Sequence, residues 1–184
     1  MGTTKRRGAV VQERPPPGGG AGVRRSKSEE RTDATTLKRV TLFESLNASQ
    51  LKKIAAISVE RTFQAGERIF SEGDAGQEFY VILEGRVRIS KQVPGVGEEA
   101  LTILDPGGYF GEMAVVDDTV RSADAIAHTR CRLAAVKRDD LDSLMFTDKD
   151  LAYSLLWTFV RTLAVRLRDT NEKIKTFFVL SSGF

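Results

Sequence analysis

Residues between positions 111 and 122 combine types that could bind a phosphate and a hydroxyl group together. Gly111 precedes a short helical turn predicted at residues 112–116, and the free N–H groups of such a turn attract an anion. Arg121 adds a planar guanidinium that can bind an anion through two hydrogen bonds, and Ser122 adds a hydroxyl donor. Glu112 would repel a phosphate, but it can accept a hydrogen bond from a hydroxyl such as a ribose 2′-OH. A site that selects both an anion and a hydroxyl indicates a nucleotide ligand.

The elements around these residues are predicted to be short β-strands joined by glycine-containing turns. Apolar or alternating runs at seven places favour strands: residues 59–63, 68–70, 79–83, 87–89, 101–104, 125–127 and 131–136. The turns between the early strands contain Gly66, Gly73, Gly76, Gly85 and the sequence Pro94-Gly95-Val96-Gly97. This series predicts a closed or rolled antiparallel sheet.

Helices are predicted on both sides of this sheet in the sequence. Asn47 and Gln50 have the spacing of a capping box at the start of a helix before the first strand. A short helix is expected over residues 139–145. Thr147 and Asp150 are expected to cap a long helix that runs to about residue 177.

The chain is predicted to have four parts. Residues 1–38 form a basic tail, which is rich in glycine, proline and arginine and should be disordered because it has little apolar surface to bury. Residues 39–138 form the N-terminal helix and the β-roll, residues 139–178 form the short and the long C-terminal helices, and residues 179–184 form a frayed end.

Composition excludes several classes of site. One cysteine cannot form an internal disulfide, and one cysteine with one histidine cannot make a thiolate–imidazole zinc cage. No segment has the apolar length of a membrane span or a secretory signal, so we expect a cytoplasmic protein with no membrane partner. Residues 1–39 contain ten Lys or Arg and four Asp or Glu, whereas residues 40–184 contain 18 and 21. The basic charge belongs to the tail, which argues against DNA binding by the folded part.

The segment Phe110-Gly111-Glu112-Met113-Ala114, followed by Arg121-Ser122-Ala123, resembles the phosphate-binding cassette of the cyclic nucleotide-binding domain family. The resemblance covers residues 42–178 and includes the upstream glycine pattern. It implies a mainly β fold with flanking helices, in which a jelly-roll-like β-roll is followed by a long C-terminal dimerisation helix. No second domain of the DNA-reading helix-turn-helix type is expected after this helix.

The resemblance also implies roles for the cassette residues. Gly111 and Ala114 would offer backbone contacts, and Met113 and Ala123 would line the same cassette. Glu112 would bind the ribose hydroxyl, and Arg121 with Ser122 would bind the cyclic phosphate. The expected ligand is cAMP, with no metal, no other cofactor and no catalytic residues.

A second group of expected ligand residues lies in the long helix. Apolar residues recur there at alternating spacings of four and three, which predicts a seam against a partner helix: Leu156, Val160, Leu163, Leu167, Ile174 and Phe177, with Thr170 between them. The sequence around Thr170 and Asn171 resembles the helix of the bacterial catabolite activators of this family, whose Thr and Ser contact adenine. This resemblance implies that Thr170 and Asn171 read the base in a homodimer.

The function predicted from the sequence is that of a bacterial cAMP receptor, a regulatory module in signal transduction that acts through an unidentified protein partner. Three alternatives remain open at this point. The same fold could sense cGMP, it could sense cyclic di-GMP, or it could be a structural scaffold without a ligand.

Overall fold

Eight strands form two four-stranded antiparallel sheets in the computed structural model, which describes residues 32–181. The strands are β1 (Ser58–Phe63), β2 (Arg68–Phe70), β3 (Glu78–Glu84), β4 (Val87–Val93), β5 (Gly97–Leu104), β6 (Tyr109–Phe110), β7 (Asp124–Ala127) and β8 (Cys131–Lys137). The first sheet has the order β1-β8-β3-β6, and the second has the order β2-β7-β4-β5.

Five α-helices flank these sheets in the described part of the chain, and a 3₁₀ turn at Thr41–Phe43 lies between the first two. They are α1 (Ala34–Leu37), α2 (Ala48–Ala56), α3 (Glu112–Val116), α4 (Arg138–Thr147) and α5 (Lys149–Ser181). The mainly β architecture with flanking helices and a long C-terminal helix is therefore confirmed. Within residues 32–181, no helix has the length and apolarity needed to cross a membrane.

The first sheet separates two layers of core because its side chains alternate between its faces. On β3, Phe79 and Val81 pack against the helices, whereas Tyr80 and Ile82 pack between the two sheets. The two-residue strand β6 continues this alternation, with Tyr109 in the helical layer and Phe110 in the layer between the sheets. Because Tyr109 and Phe110 are each buried in one of these layers, the position at which the chain leaves β6 is fixed.

Two predicted boundaries are corrected by the structure. Helix α1 falls inside the segment expected to be disordered up to residue 38, because Leu37 is fully buried in the helical core layer and orders the chain there. Helix α5 continues to Ser181, so Val179 and Leu180 are helical, whereas the sequence predicts a frayed end from residue 179. The tail before residue 32 and residues 182–184 lie outside the described residues.

The start of α5 also differs from the prediction. Thr147 belongs to α4, and its hydroxyl donates to the carbonyls of Ser143 and Leu144 in the last turn of that helix. Asp148 caps α5 instead, with its Oδ1 accepting from the backbone N–H of Leu151 at 3.0 Å. The capping box of Asn47 and Gln50 at α2 is confirmed, with both reciprocal bonds at 3.0 Å.

Candidate functional site

The cassette begins at a glycine whose backbone is left-handed. Gly111 has a φ of 79° and forms the N-terminal cap of the five-residue helix α3. Helix α3 also packs closely against Gly76. A Cβ added to Gly76 would lie 2.1 Å from the Ala114 Cβ. The backbone of Arg121 is bonded to the neighbouring turn, with its N–H donating to the carbonyl of Asp74 at 2.9 Å. These contacts hold α3 and the loop segment of Arg121 against the loop at residues 74–76.

Arg121 is a buried cation held by neutral groups. Its Nη1 donates to the carbonyl of Gly111 at 2.9 Å, and its Nη2 donates to the carbonyl of Glu78 at 2.6 Å. The guanidinium carbon lies 4.1 Å from the centroid of the Phe70 ring, as in cation–π contacts. Arg121 is 5% exposed, and its Nε has no hydrogen-bond partner among residues 32–181.

The ion pairs within residues 32–181 involve cations other than Arg121. Burial lowers the pKa of its guanidinium, although nearby acidic groups, including Glu78, oppose this effect. Because a buried charge is costly without a counter-charge, this site is electrostatically suited to an anion. The free Nε–H lies on the guanidinium edge that can bind a phosphate in a fork.

Glu112 is the second buried charge, with 1% of its surface exposed. Its Oε1 forms an ion pair with Nη1 of Arg166 in α5, and Nη2 of Arg166 donates to the carbonyl of Tyr109 at 2.8 Å. Burial raises the pKa of the Glu112 carboxyl, and the charge of Arg166 partly offsets that effect. A carboxylate can accept about four hydrogen bonds, so Arg166 leaves Glu112 able to accept from a further hydroxyl.

The remaining predicted cassette residues lie around these two charges. Ser122 is exposed, and its hydroxyl lies 3.9 Å from the sulfur of Met113. Met113 is 46% exposed, whereas Ala114 and Ala123 are buried. The structure thus brings the cassette residues of both sequence segments together.

Thr170 and Asn171 are exposed on α5 and make no direct contact with the cassette among the interactions described. The Thr170 hydroxyl donates to the carbonyl of Arg166 at 2.8 Å, one turn earlier in the helix. The residue whose backbone carbonyl accepts from Thr170 is thus the same one whose side chain pairs with Glu112.

Two apolar stripes run along α5, and one of them is the predicted seam. Leu155 and Phe159 are buried against the roll, and the Phe159 ring contacts Tyr109 edge to face at 5.7 Å. The predicted seam lies on a different face, where four of its residues are 46% to 62% exposed: Leu156, Val160, Leu167 and Ile174. One stripe thus positions α5 on its own roll, and the other is available to a partner.

Three contributors to the site carry no predicted role from the sequence: Arg166, Phe70 and the carbonyl of Glu78. The sequence does contain an indication for Arg166. It lies seven residues after Phe159 and therefore on the same helix face as the stripe that packs on the roll. An arginine at that position is placed toward the roll, although its side chain stays partly exposed. The roles of Phe70 and Glu78 depend on contacts between distant strands, which no local spacing encodes.

The chain is similar to known regulators. The sequence model of the cyclic nucleotide-binding domain matches residues 60–148. A CRP-like cAMP-activated global transcriptional regulator of Mycobacterium tuberculosis is 31% identical over 138 residues, which are 75% of this chain and 60% of that protein. The chain thus spans less than two thirds of the length of this curated relative.

Two solved structures show the same architecture. The N-terminal domain of a transcriptional regulator from Streptomyces coelicolor has a TM-score of 0.62 and 32% identity, covering 74% of this chain and 95% of that one. The catabolite activator protein of Thermus thermophilus has a TM-score of 0.66 and 30% identity, covering 74% of this chain and 62% of that one.

Proposed function

Because the chain belongs to the cyclic nucleotide-binding domain family, we propose that it is a cAMP receptor that regulates a protein partner and catalyses no reaction. The observation that carries this proposal is the buried Arg121, whose fixed contacts are neutral and whose Nε is unpartnered among the described residues. A singly charged cyclic phosphate would supply the counter-charge, with Ser122 as an additional donor.

The ribose of the ligand would bind at Glu112. A buried carboxylate is an unusual neighbour for a phosphate, but it is a strong acceptor for the ribose 2′-OH. Gly111 and Ala114 would offer backbone contacts next to it, and Met113 and Ala123 would border the ligand. This arrangement supports a nucleotide in preference to an inorganic anion.

The base would meet Thr170 of α5. Since the Thr170 hydroxyl donates its proton to the carbonyl of Arg166, its oxygen remains as an acceptor. Adenine presents an amino donor at N6, whereas guanine presents an acceptor at O6. A site that offers a hydrogen-bond acceptor to the base therefore favours cAMP over cGMP.

We propose that two copies of the chain form a homodimer by packing their exposed α5 seams against each other. Apolar residues at coiled-coil spacing that are exposed in one chain would be buried between two. Asn171 lies about 100° around the helix from Thr170, so it would face the site of the partner subunit. Base recognition would then use both subunits.

A bacterial, cytoplasmic protein fits this proposal, since the relatives described above are bacterial regulators. We do not expect residues 40–184 to bind DNA, because they contain 18 basic and 21 acidic side chains. The protein partner would be the component that receives the signal.

Thermal unfolding in parallel with cAMP, cGMP, cyclic di-GMP and AMP tests the proposal. A ligand that binds only the folded state stabilises it by about 2.7 kcal/mol at one hundred times its Kd. For a chain of this size, that corresponds to a rise in Tm of roughly 5–10 °C. We expect the largest rise with cAMP, a smaller one with cGMP and none with AMP. No rise with any of the four would favour a scaffold, and a rise confined to cyclic di-GMP would favour that ligand.

A further inference from the structure

Besides the apolar packing of Leu155 and Phe159, helix α5 has two polar attachment points to the roll that are seven residues apart. Arg166 bonds to the carbonyl of Tyr109 on β6, and Nζ of Lys173 donates to the carbonyl of Leu101 on β5 at 3.0 Å. Strands β6 and β5 are edge strands of the two different sheets. Seven residues span about 10 Å of helix, so α5 crosses from the edge of one sheet to the edge of the other.

The carbonyl that accepts from Lys173 lies at a break in strand pairing. Ile89 pairs with Thr102 and Ser90 pairs with Ala100, so the register of β4 and β5 skips Leu101. A residue skipped in this way is left out of the regular ladder of hydrogen bonds. The irregularity therefore provides an acceptor on β5 for a side chain from α5.

Thr170 lies between the two attachment points and on the same face of the helix. Arg166, Thr170 and Lys173 stand at positions i, i+4 and i+7, which share one helix face. Beyond Arg166 the apolar residues are largely exposed, with Leu167 at 62% and Ile174 at 49%. Packing within one chain holds this part of α5 weakly, so a directed hydrogen bond has more influence on its position.

We propose that Lys173 is a positioning residue for base recognition, which holds Thr170 over the base by fixing α5 to β5. This inference rests on the proposed binding of cAMP, and Lys173 is expected to touch no ligand atom itself. Loss of the bond would let α5 move away from β5, and the contact between Thr170 and the base would weaken. The contacts of Arg121 and Glu112 with the ribose phosphate would remain.

The test compares cAMP with ribose 3′,5′-cyclic phosphate, which lacks the base, by calorimetric and competition titrations of the full chain. Lys173→Met keeps the aliphatic stem and removes the donor. We expect it to weaken cAMP binding about 3- to 10-fold, as for one hydrogen bond, and to leave the affinity for the base-free probe within about twofold. Lys173→Arg retains a donor and should restore most of the cAMP affinity.

Lys175→Met is the matched control, because Lys175 is exposed on the same helix and its ammonium pairs with Glu172 of α5. It should bind both probes as the wild type does. The proposal is overturned if Lys173→Met binds cAMP normally, or if it loses affinity for both probes equally, as a general disruption would. A wild-type chain that binds neither probe would instead overturn the proposed function itself, and this inference with it.

Discussion

At the scale of single residues, Gly111 and Gly66 provide matched substitutions that separate backbone strain from displacement of Arg121. Both have left-handed backbones, with φ of 79° and 82°. A Cβ on Gly66 would meet nothing within 4 Å, whereas a Cβ on Gly111 would lie 2.7 Å from Nη1 of Arg121. We expect both alanine variants to lose about 1–2 kcal/mol of unfolding free energy, measured in urea.

Only Gly111→Ala should also weaken cAMP binding, by about tenfold or more, because it moves a charged hydrogen-bond donor. Calorimetry on both variants decides this point. Equal cAMP affinities for Gly111→Ala and Gly66→Ala would contradict the assignment of Arg121 as the phosphate ligand.

The pair of Glu112 and Arg166 predicts a dependence of stability on pH. Arg166→Met leaves the Glu112 carboxyl buried without its counter-charge, so its pKa in the folded state should rise further above the usual value. The folded state then holds more protons than the unfolded state, and stability falls as pH rises. Near pH 8 we expect a loss of about 3 kcal/mol relative to wild type, at the low end for buried pairs because Arg166 is partly exposed.

Urea unfolding of Arg166→Met between pH 4 and pH 8 measures this dependence. The double variant Arg166→Met with Glu112→Gln serves as the control, since it has no buried carboxyl to titrate. Its stability should lack the additional slope. A parallel slope in both variants would show that Glu112 is not the titrating group.

The grouping of the cassette residues was predictable from the sequence because Gly111, Glu112, Arg121 and Ser122 lie within twelve positions. Their chemical types together with this close spacing predict a site for an anion and a hydroxyl. The interactions that hold Arg121 were not predictable, since they come from a backbone carbonyl on β3 and a ring on β2. Those partners depend on the pairing of strands that are far apart in the sequence.

At the scale of elements, helix α5 carries the prediction about assembly. Leu167 is 62% exposed at the centre of the seam, so Leu167→Glu should leave the subunit folded. Two such carboxylates would face each other without water in the dimer, and we expect the dimer to dissociate. Light scattering measures the mass, and circular dichroism verifies the helix content.

Val96→Glu is the control for this substitution. Val96 is 67% exposed in the turn between β4 and β5, outside the seam, and its replacement should leave the dimer intact. A wild-type chain that is monomeric at micromolar concentration would contradict dimerisation through the seam. So would a Leu167→Glu variant that remains a dimer.

Sequence patterns located most elements because their strands alternate and their turns contain glycine. The two-residue strand β6 is absent from the predicted series, since Tyr109 and Phe110 are too few to show a period. The cap of α5 was misplaced by one residue, because Thr147 and Asp148 are both acceptable caps. The choice between them depends on Thr147 bonding back into α4.

At the scale of the whole molecule, the proposal couples ligand recognition to assembly through α5. The same helix contacts its own roll through Phe159 and Arg166 and presents the seam on another face. A monomeric Leu167→Glu variant should therefore keep the contacts of Arg121 and Glu112 with ribose phosphate. Its preference for cAMP over cGMP should decrease, because Asn171 of the partner subunit would be missing. Titrations of this variant with both nucleotides measure that change.

The central claim is that Arg121 binds the cyclic phosphate, and calorimetric titration of cAMP into wild type and Arg121→Lys tests it most directly. Lysine keeps the charge but lacks the planar fork and the fixed bonds to Gly111 and Glu78. Arg132→Lys is the control, since Arg132 pairs with Glu60 and Glu84 on the strands around β8. We expect saturable binding to wild type and to Arg132→Lys, and an affinity at least about tenfold lower for Arg121→Lys, as for the loss of one charged hydrogen bond. Equal affinity of Arg121→Lys and wild type, or no binding of cAMP to wild type, would contradict the claim.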